Sequence, residues 1–453
     1  MKDLNSYFKG KKITVMGLGL LGRGVGDVSF LAEAGADLIV TDLKTEEQLQ
    51  SSLDQLAALE DITYVLGEHR EADFVDRDYI LVAAGVPLDS PYLAAARAAG
   101  VPFKQSAAWF AELSRVPIIG VTGTRGKSTV TNMIHHVLSM VTGEEVLLGG
   151  NIRGKSNLQL LHEVQEDSLC VMELDSWQLQ GWGWNTMSPQ VAVFTNFMED
   201  HQNYYRKGDV GAEEGMNAYF NDKAQIFLHQ DESGVLVTTP EVFARAKTLS
   251  GVSLGQEVVL ADASIIPEDA LLSMPGEHNR LNAALAIETL KALSLTEEDI
   301  WPALATFPGV EGRLQMLTTV DNIRIYNDNN ATTPQAAIAA LEALDLGNKN
   351  IILIAGGADK NINLDAFVTA IEMHCKQVIL TPGSGSDQLL EMGVEADQVD
   401  DLPAAVAAAQ AAATSGDIIL FSPAFASFAQ YTNEYERNDE FVDLISKITN
   451  HAD

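Results

Sequence analysis

The chain has 453 residues, 46% of them hydrophobic and 20% charged, with 63 Asp and Glu against 29 Lys and Arg for a formal net charge of -34. That length predicts two to four domains, three being the central expectation, and the composition belongs to an ordinary globular protein rather than a disordered or fibrous one. The acidic balance argues strongly against nucleic acid as a partner, because a binding face needs surplus Lys and Arg, but anionic small molecules stay open where local cations, helix N-termini or Mg2+ offset their charge.

No run of about 18 uncharged apolar residues occurs, so no membrane span is expected, and residues 1–12 lack the apolar core of a secretion signal, which points to the cytoplasm. Cys170 and Cys375 stand far apart without metal-ligand spacing. They read as two buried free thiols.

Taken in chain order, an apolar run at 13–16 predicts a strand, followed by a Gly-rich turn, a helical stretch and further strands at 38–41 and 79–84. Such alternation implies a parallel sheet with helices on both faces. Gly17, Gly19 and Gly22 form G-x-G-x-x-G directly after the first strand, and Asp42 follows Gly22 by twenty residues, the spacing of a dinucleotide fingerprint. The same glycines also suit a bare strand-to-helix turn, and the pattern does not separate NAD from a UDP-sugar.

A second block opens with a strand at 117–122, which runs into Gly123, Thr124, Arg125, Gly126, Lys127, Ser128 and Thr129. Backbone N–H groups of such a loop cradle phosphates, Lys127 reaches the β and γ oxygens, and the Ser128 hydroxyl suits Mg2+. Val121 stands where the full P-loop pattern has its first glycine. Glu173 ends the next apolar strand, where a carboxylate either holds Mg2+ or is merely solvated. A strand at 191–195 leads towards His201, which is a candidate metal ligand or an ordinary loop histidine. Lys223 reads as a common helix lysine. Asn279 and Asn282 share one face of a helix, where amides suit adenine and capping is the equal alternative for Asn279. A third block begins near 313, with strands at 351–355 and 378–381 and an Ala-rich helix at 402–414. Its Gly, Pro and Ser turns beside strands are places where α/β domains hold substrates.

In this order the segments resemble the Mur ligase family of peptidoglycan synthesis along nearly the whole chain. The likeness is carried by Gly17-Leu-Gly-Leu-Leu-Gly22, Gly149-Gly-Asn-Ile152, Glu173-Leu-x-Ser-x-Gln178, Thr195-Asn-x-x-Glu-Asp-His201, His278-Asn-x-x-Asn282 and Ser422-Pro-Ala-x-Ala-Ser427. Within the family the pattern is similar to that of members attaching D-glutamate to UDP-N-acetylmuramoyl-L-alanine. The resemblance implies three α/β domains: a Rossmann-like N-terminal one for the UDP group (1–116), a central P-loop ATPase with a parallel sheet (117–311) and a Rossmann-like C-terminal one for the amino acid (312–453). It implies an ATP-dependent acid–amino-acid ligase working through an acyl phosphate, as a cytoplasmic monomer with no nucleic-acid or membrane partner.

Residue by residue, the resemblance puts Gly19, Leu20, Leu21, Asp42 and Leu43 at the uridine site and Asn151 against the muramoyl-peptide part. It gives the ATP phosphates to the loop from Gly123 to Thr129, adenine to Asn279 and Asn282, and the nucleotide clamp to Arg313 and Asp328. It implies two Mg2+ ions, one between Ser128 and Glu173 and one held by His201 and a carbamylated Lys223, with Lys127 as the catalytic cation. Thr332, Lys360 and Ser427 would hold the carboxylates of glutamate. Extra residues around 206–216 lengthen the step from His201 to Lys223.

Departures from the family pattern cluster in the amino-acid pocket: Asn330 stands where Lys is common, Asp175 where Ser is usual, and Ala429 where Asp is. Losing a cation from a site for a dianion reshapes it, so an L-glutamate-adding ligase is the main alternative. Ligases for folyl or cyanophycin-like substrates, an NAD-dependent oxidoreductase and a catalytically dead binding protein compete less well. The UDP-type N-terminal turn, the P-loop and the intact set of Lys127, Glu173 and His201 count against them in turn.

Overall fold

The computed structural model describes residues 4–20, 22–143, 145–206, 210–249, 254–268, 270, 272–345, 347–360 and 362–450. Leu21, the side chain of Ala429 and residues 207–209 of the lengthened segment lie outside the described residues.

Three sheets organise this α/β chain. The first joins β1 (Lys12–Met16), β2 (Asp37–Asp42), β3 (Ile62–Leu66), β4 (Tyr79–Val82) and β5 (Phe103–Lys104) in the order β3-β2-β1-β4-β5, every pair parallel. The second contains β6 (Ile118–Thr122), β7 (Val146–Gly150), β8 (Leu169–Glu173), β9 (Val191–Phe194), β10 (Val235–Thr238) and β11 (Glu257–Leu260), ordered β11-β10-β9-β6-β8-β7 and again all parallel. The third is mixed: β12 (Gln315–Val320) pairs antiparallel with β13 (Ile323–Asn327), and β17 (Ile418–Ala424), β14 (Ile351–Gly356), β15 (Cys375–Thr381) and β16 (Asp397–Gln398) continue it in parallel.

Central strands of all three sheets are covered on both faces, which explains their unbroken apolar runs: β6 and β14 are buried at every position. The edge strand β3 buries only Val65 fully and exposes Thr63 and Tyr64. Its apolar signal is correspondingly weak, and the strand expected third along the chain, at 79–84, is in fact the fourth and ends at Val82. The helix expected at 402–414 spans Leu402–Ala412, where Asp401 caps its start by accepting from Ala404 N–H and Ala413 turns extended at its end.

The described residues divide into two compact units. Residues 1–262 and 282–303 carry the first two sheets, and residues 263–281 and 304–453 carry the third. A continuous apolar core, from Phe8, Phe30 and Trp109 to Phe194, Phe220 and Phe227, runs through the first unit, beside a separate cluster of Met16, Phe74, Ile80, Val82 and Leu93. In the second, separate apolar clusters cover the two faces of the third sheet. Cys170 and Cys375 are buried free thiols, and burial pushes Cys375 up to about 12. Among the described residues no helix is long and apolar enough to cross a membrane.

Asp27, on the helix Arg23–Glu33, ties the first sheet to the loop after β7: its carboxylate accepts from Ser156 Oγ at 2.6 Å and from Leu158 N–H at 3.3 Å. Burial pushes this carboxyl up to about 6, against the pull of those donors. A carboxyl raised in the fold binds its proton more tightly there than in the unfolded chain. The stability it contributes is therefore complete below pH 3.8 and is lost as pH rises through about 6. A shift of this size corresponds to roughly 3 kcal/mol. Asp27→Asn keeps the acceptor oxygen and is expected to remove that pH-dependent loss, which thermal melting of both chains between pH 4 and 8 checks.

Candidate active site

The second sheet brings its loops together at a topological switch point. The chain leaves β6, passes to the edge at β7, returns to β8 on one side of β6 and then to β9 on the other. The carboxyl ends of β8 and β9 therefore flank the loop that follows β6, the place where open α/β sheets bind ligands.

That loop, 123–126, runs from Thr122 into the fifteen-residue helix Lys127–Val141. Gly123 (φ 145°) and Gly126 (φ 81°) adopt left-handed backbone conformations, and a Cβ would stand 1.9 Å from Thr195 Oγ1 at the first and 2.4 Å from Asn282 Oδ1 at the second. Both positions thus require glycine, for space as well as for dihedral angle. The end of β9 holds the loop in shape: Thr124 N–H donates to the Asn196 carbonyl at 3.0 Å, Arg125 N–H to Asn196 Oδ1 at 2.9 Å, and Thr195 Oγ1 to the Arg125 carbonyl at 2.5 Å. Lys127 Nζ donates to the carbonyls of Gly123 and Thr124, each at 3.1 Å. Ser128 and Thr129 follow in the first helical turn, whose N–H groups and dipole favour an anion.

Around this loop the first unit gathers five more of the expected residues. Glu173 is buried at the end of β8 and accepts from Asn151 Nδ2 at 3.3 Å, while Asn151, just past β7, also receives Arg23 Nη1 on its Oδ1. His201 takes a left-handed conformation (φ 53°), lies 4.6 Å from the Trp177 ring and is lowered in pKa, first by burial. Lys223, near the end of the helix Ala212–Ala224, is 1% exposed and donates to the Gly123 carbonyl at 2.7 Å, with its Nζ 4.9 Å above the Tyr219 ring. Its ammonium pKa falls well below the ordinary value, first through desolvation and next through repulsion by Lys127. Asp175, Asp200 and Glu173 oppose that shift. Asn282 packs against Gly126 and so reaches the same loop.

Asp175, where the family pattern has Ser, caps the helix Ser176–Trp184 in a reciprocal box with Gln178: Asp175 Oδ1 accepts from Gln178 N–H at 2.7 Å and Gln178 Oε1 from Asp175 N–H at 3.3 Å. Tyr219, Thr195 and Asn196 also belong to the loop's surroundings. No spacing rule singles them out, although Thr195 and Asn196 stand in a quoted motif.

Among the described residues no group of three His, Cys, Asp or Glu side chains forms a self-sufficient metal site. Mg2+ fits the donors that are present, because it retains water and needs only one or two protein ligands beside nucleotide phosphates. Glu173 and the Ser128 hydroxyl supply hard oxygen of that kind. Asp200 contacts Arg125 at 3.9 Å on the rim.

At the first sheet, Asp42 is buried and spends its carboxylate on backbone: Oδ2 accepts from Leu18 and Gly19 N–H at 3.0 and 3.1 Å, and Oδ1 from Lys44 N–H at 2.9 Å. It therefore shapes the glycine turn at the end of β1. Leu20 and Leu43 stand beside it with 38% and 66% of their surface exposed, large apolar side chains available to a flat ring.

The second unit holds the remaining expected residues. Asp328, just past β13, accepts from Ser422 Oγ at 2.8 Å and Leu314 N–H at 2.9 Å, and burial pushes it up to about 7 against those donors and the field of Arg313. Backbone bonds between Ala358 and Ala426 join the loops after β14 and β17, bringing Lys360 and Ser427 to one end of the sheet. Lys360 Nζ donates to Thr332 Oγ1 at 3.0 Å. Asn330 spends its side-chain amide on the Glu311 carbonyl at 3.2 Å, so no cation stands at this position. Asn279 donates to the Pro275 carbonyl at 2.9 Å, anchoring the start of the helix Glu277–Ala292.

Fold and loop together define a P-loop nucleotide-binding protein with three α/β domains. The Mur ligase MurD-like N-terminal domain matches residues 11–104, the Mur ligase middle domain 121–248, and the Mur ligase glutamate ligase domain 312–425. A UDP-N-acetylmuramoylalanine--D-glutamate ligase of Roseiflexus sp. (strain RS-1) is 35% identical over 97% of this chain and 99% of its own length, and one of Clostridioides difficile (strain 630) is 32% identical with the same coverage. In fold the chain is similar to a UDP-N-acetylmuramate-alanine ligase MurC of Thermotoga maritima, with a TM-score of 0.58 at 21% identity over 96% of this chain and 99% of that one. A MurF ligase of the same organism in complex with ADP also gives 0.58, at 14% identity over 99% of both. The chain belongs to the Mur ligase family of ATP-dependent amide ligases.

Proposed function

We propose that this protein joins D-glutamate to the alanine carboxyl of UDP-N-acetylmuramoyl-L-alanine at the expense of ATP, as a cytoplasmic monomer. The observation that carries this reading is the near-complete overlap with relatives bearing that name, 97% of this chain at 35% identity for the Roseiflexus protein. The chemistry available at the loop after β6 agrees with it.

In the first step an oxygen of the alanine carboxylate attacks the γ-phosphorus, the bond to the bridging oxygen breaks, and ADP leaves with that electron pair. Every participant is an anion, so the barrier is set by repulsion, and fixed positive charge is the remedy. Lys127 and the first-turn amides of Lys127–Val141 supply it. Glu173 and Ser128 would hold Mg2+, which when bound neutralises the phosphates further. Lys223, whose burial and position beside Lys127 favour the neutral amine, adds CO2 and releases a proton to become a carbamate that, with His201, would hold a second Mg2+. In the second step the neutral amine of glutamate attacks the acyl phosphate carbonyl, the tetrahedral adduct loses a proton, and phosphate departs to leave the amide. Thr332, Lys360 and Ser427 would hold the glutamate carboxylates, and Leu20, Leu43 and the turn shaped by Asp42 the uridine. Asn151 would contact the muramoyl part, Asn282 and Asn279 the adenine, and Arg313 and Asp328 the rest of the nucleotide.

Phosphate release from ATP with UDP-N-acetylmuramoyl-L-alanine and Mg2+ tests the reading across a panel of amino acids. Stimulation by D-glutamate is expected. A preference for L-glutamate would follow if the amide at Asn330 has reshaped the pocket, and silence with every amino acid would remove the ligase assignment for this substrate.

A further inference from the structure

Glu173, His201 and Lys223 sit on three separate elements that meet only through tertiary packing. Glu173 ends β8, two residues before the cap of the helix Ser176–Trp184; His201 caps the short helix Gln202–Tyr205; Lys223 lies on Ala212–Ala224. One carboxylate oxygen joins the helix that follows Glu173, the helix that His201 caps and the helix that carries Lys223. Asp222 Oδ2 accepts from Gln180 Nε2 of the first helix at 2.7 Å and from Tyr205 OH of the second at 2.9 Å, and Asp222 itself precedes Lys223. Gln180 Nε2 also lies 3.3 Å from Tyr204 OH, and the N–H groups of Tyr204 and Tyr205 donate back to the His201 carbonyl at 2.9 and 3.2 Å. Gln180 and Tyr205 are buried, so these bonds are sheltered from competing water.

We propose that Asp222 is a positioning residue that fixes the spacing of Glu173, His201 and Lys223, and thereby the affinity for the two divalent cations these residues would hold, one at Glu173 and one at His201 and Lys223. This rests on the ligase reading above. Asp222 spends its carboxylate on Gln180 and Tyr205, and acts through the helices rather than by touching nucleotide or metal. Its contribution lies in precision: a displacement of a fraction of an ångström between the ligands of either site weakens a cation that demands near-ideal octahedral geometry.

The test uses the full chain and two variants. Asp222→Asn keeps the shape but removes the charge that accepts both donors, and Tyr205→Phe removes one donor alone. Mn2+ binding in the presence of ADP is followed by electron paramagnetic resonance, alongside melting temperature and the Mg2+ dependence of D-glutamate-stimulated phosphate release. Loss of a partner that orients metal ligands typically weakens the metal 10- to 100-fold, so Asp222→Asn is expected to weaken the weaker Mn2+ site, and raise half-saturating Mg2+, by about tenfold or more, with KM for ATP little changed. Tyr205→Phe is expected to move both in the same direction by less. Unchanged Mn2+ affinity in folded Asp222→Asn overturns the proposal, as does a lowered melting temperature with unaltered metal dependence, which marks a purely structural bond. Should Asp222→Asn not fold, unchanged Mn2+ affinity in Tyr205→Phe overturns it equally. Inactivity of the unmutated chain with D-glutamate would sink the ligase reading instead, while the Mn2+ measurement still judges Asp222.

Discussion

Lys127→Met is expected to lower amino-acid-stimulated phosphate release by about two to three orders of magnitude while leaving the melting temperature close to that of the unmutated chain, because removing one preorganised donor to a developing oxyanion costs about 10²- to 10³-fold. The side chain is only half-buried, and it donates hydrogen bonds to loop carbonyls that the end of β9 already holds in place. Little fold stability hangs on it. Lys127→Arg is expected to rescue poorly, since a planar guanidinium cannot occupy the compact position between the Gly123 and Thr124 carbonyls that an ammonium fills. Phosphate release, ADP binding by calorimetry and thermal melting together check this. Activity within tenfold of the unmutated chain would remove Lys127 from the chemistry.

How far this site is legible from the chain alone depends on whether its parts are local. Gly123, Gly126, Lys127 and Ser128 lie within six consecutive residues, and the strand and helix that flank them have clear apolar periodicity, so the loop's shape and charge follow from the sequence itself. Lys223 is the opposite case. The helix Ala212–Ala224 has an unremarkable pattern of charge, and what distinguishes this lysine, its burial against Gly123 and beneath the field of Lys127, arises only when β9 and that helix pack around β6. Family resemblance pointed to it where spacing did not, and Asp222, whose role is to join elements separated by tens of residues, leaves no local trace at all. Asp42 is legible in position, and the structure adds a backbone role. Its spacing from the glycines is that of a ribose ligand, yet its oxygens meet three backbone amides of the turn. In the fold, the strands not read from the chain include the edge strand β3 and the antiparallel pair β12 and β13, whose partial exposure dilutes the apolar signal that betrays central strands.

Lys223→Met is expected to separate stability from function. A lysine whose pKa is depressed in the fold is protonated in the unfolded chain and reluctant to be so in the native one. The stability it contributes is full above its unfolded value near 10.5 and is lost as pH falls through the lowered folded value. Methionine has a similar length, no proton to lose and no charge to desolvate, at the cost of the hydrogen bond to Gly123, which is worth about 1 kcal/mol. In CO2-depleted buffer at neutral pH the variant is therefore expected to melt above the unmutated chain, with the gap closing as pH approaches 10.5. Activity is expected to fall by about 10²-fold or more, the trade-off typical of groups buried for chemistry rather than packing. The same downward shift favours the neutral amine that is nucleophilic toward CO2, so [13C]bicarbonate is expected to give a carbamate carbon resonance in the native chain that Lys223→Met lacks. Retained activity in the variant would show that no ligand at this position is needed. A lower melting temperature across the whole pH range would show instead that Lys223 is paired well enough to remain charged in the fold, and with a charged ammonium there the route to a carbamate would close.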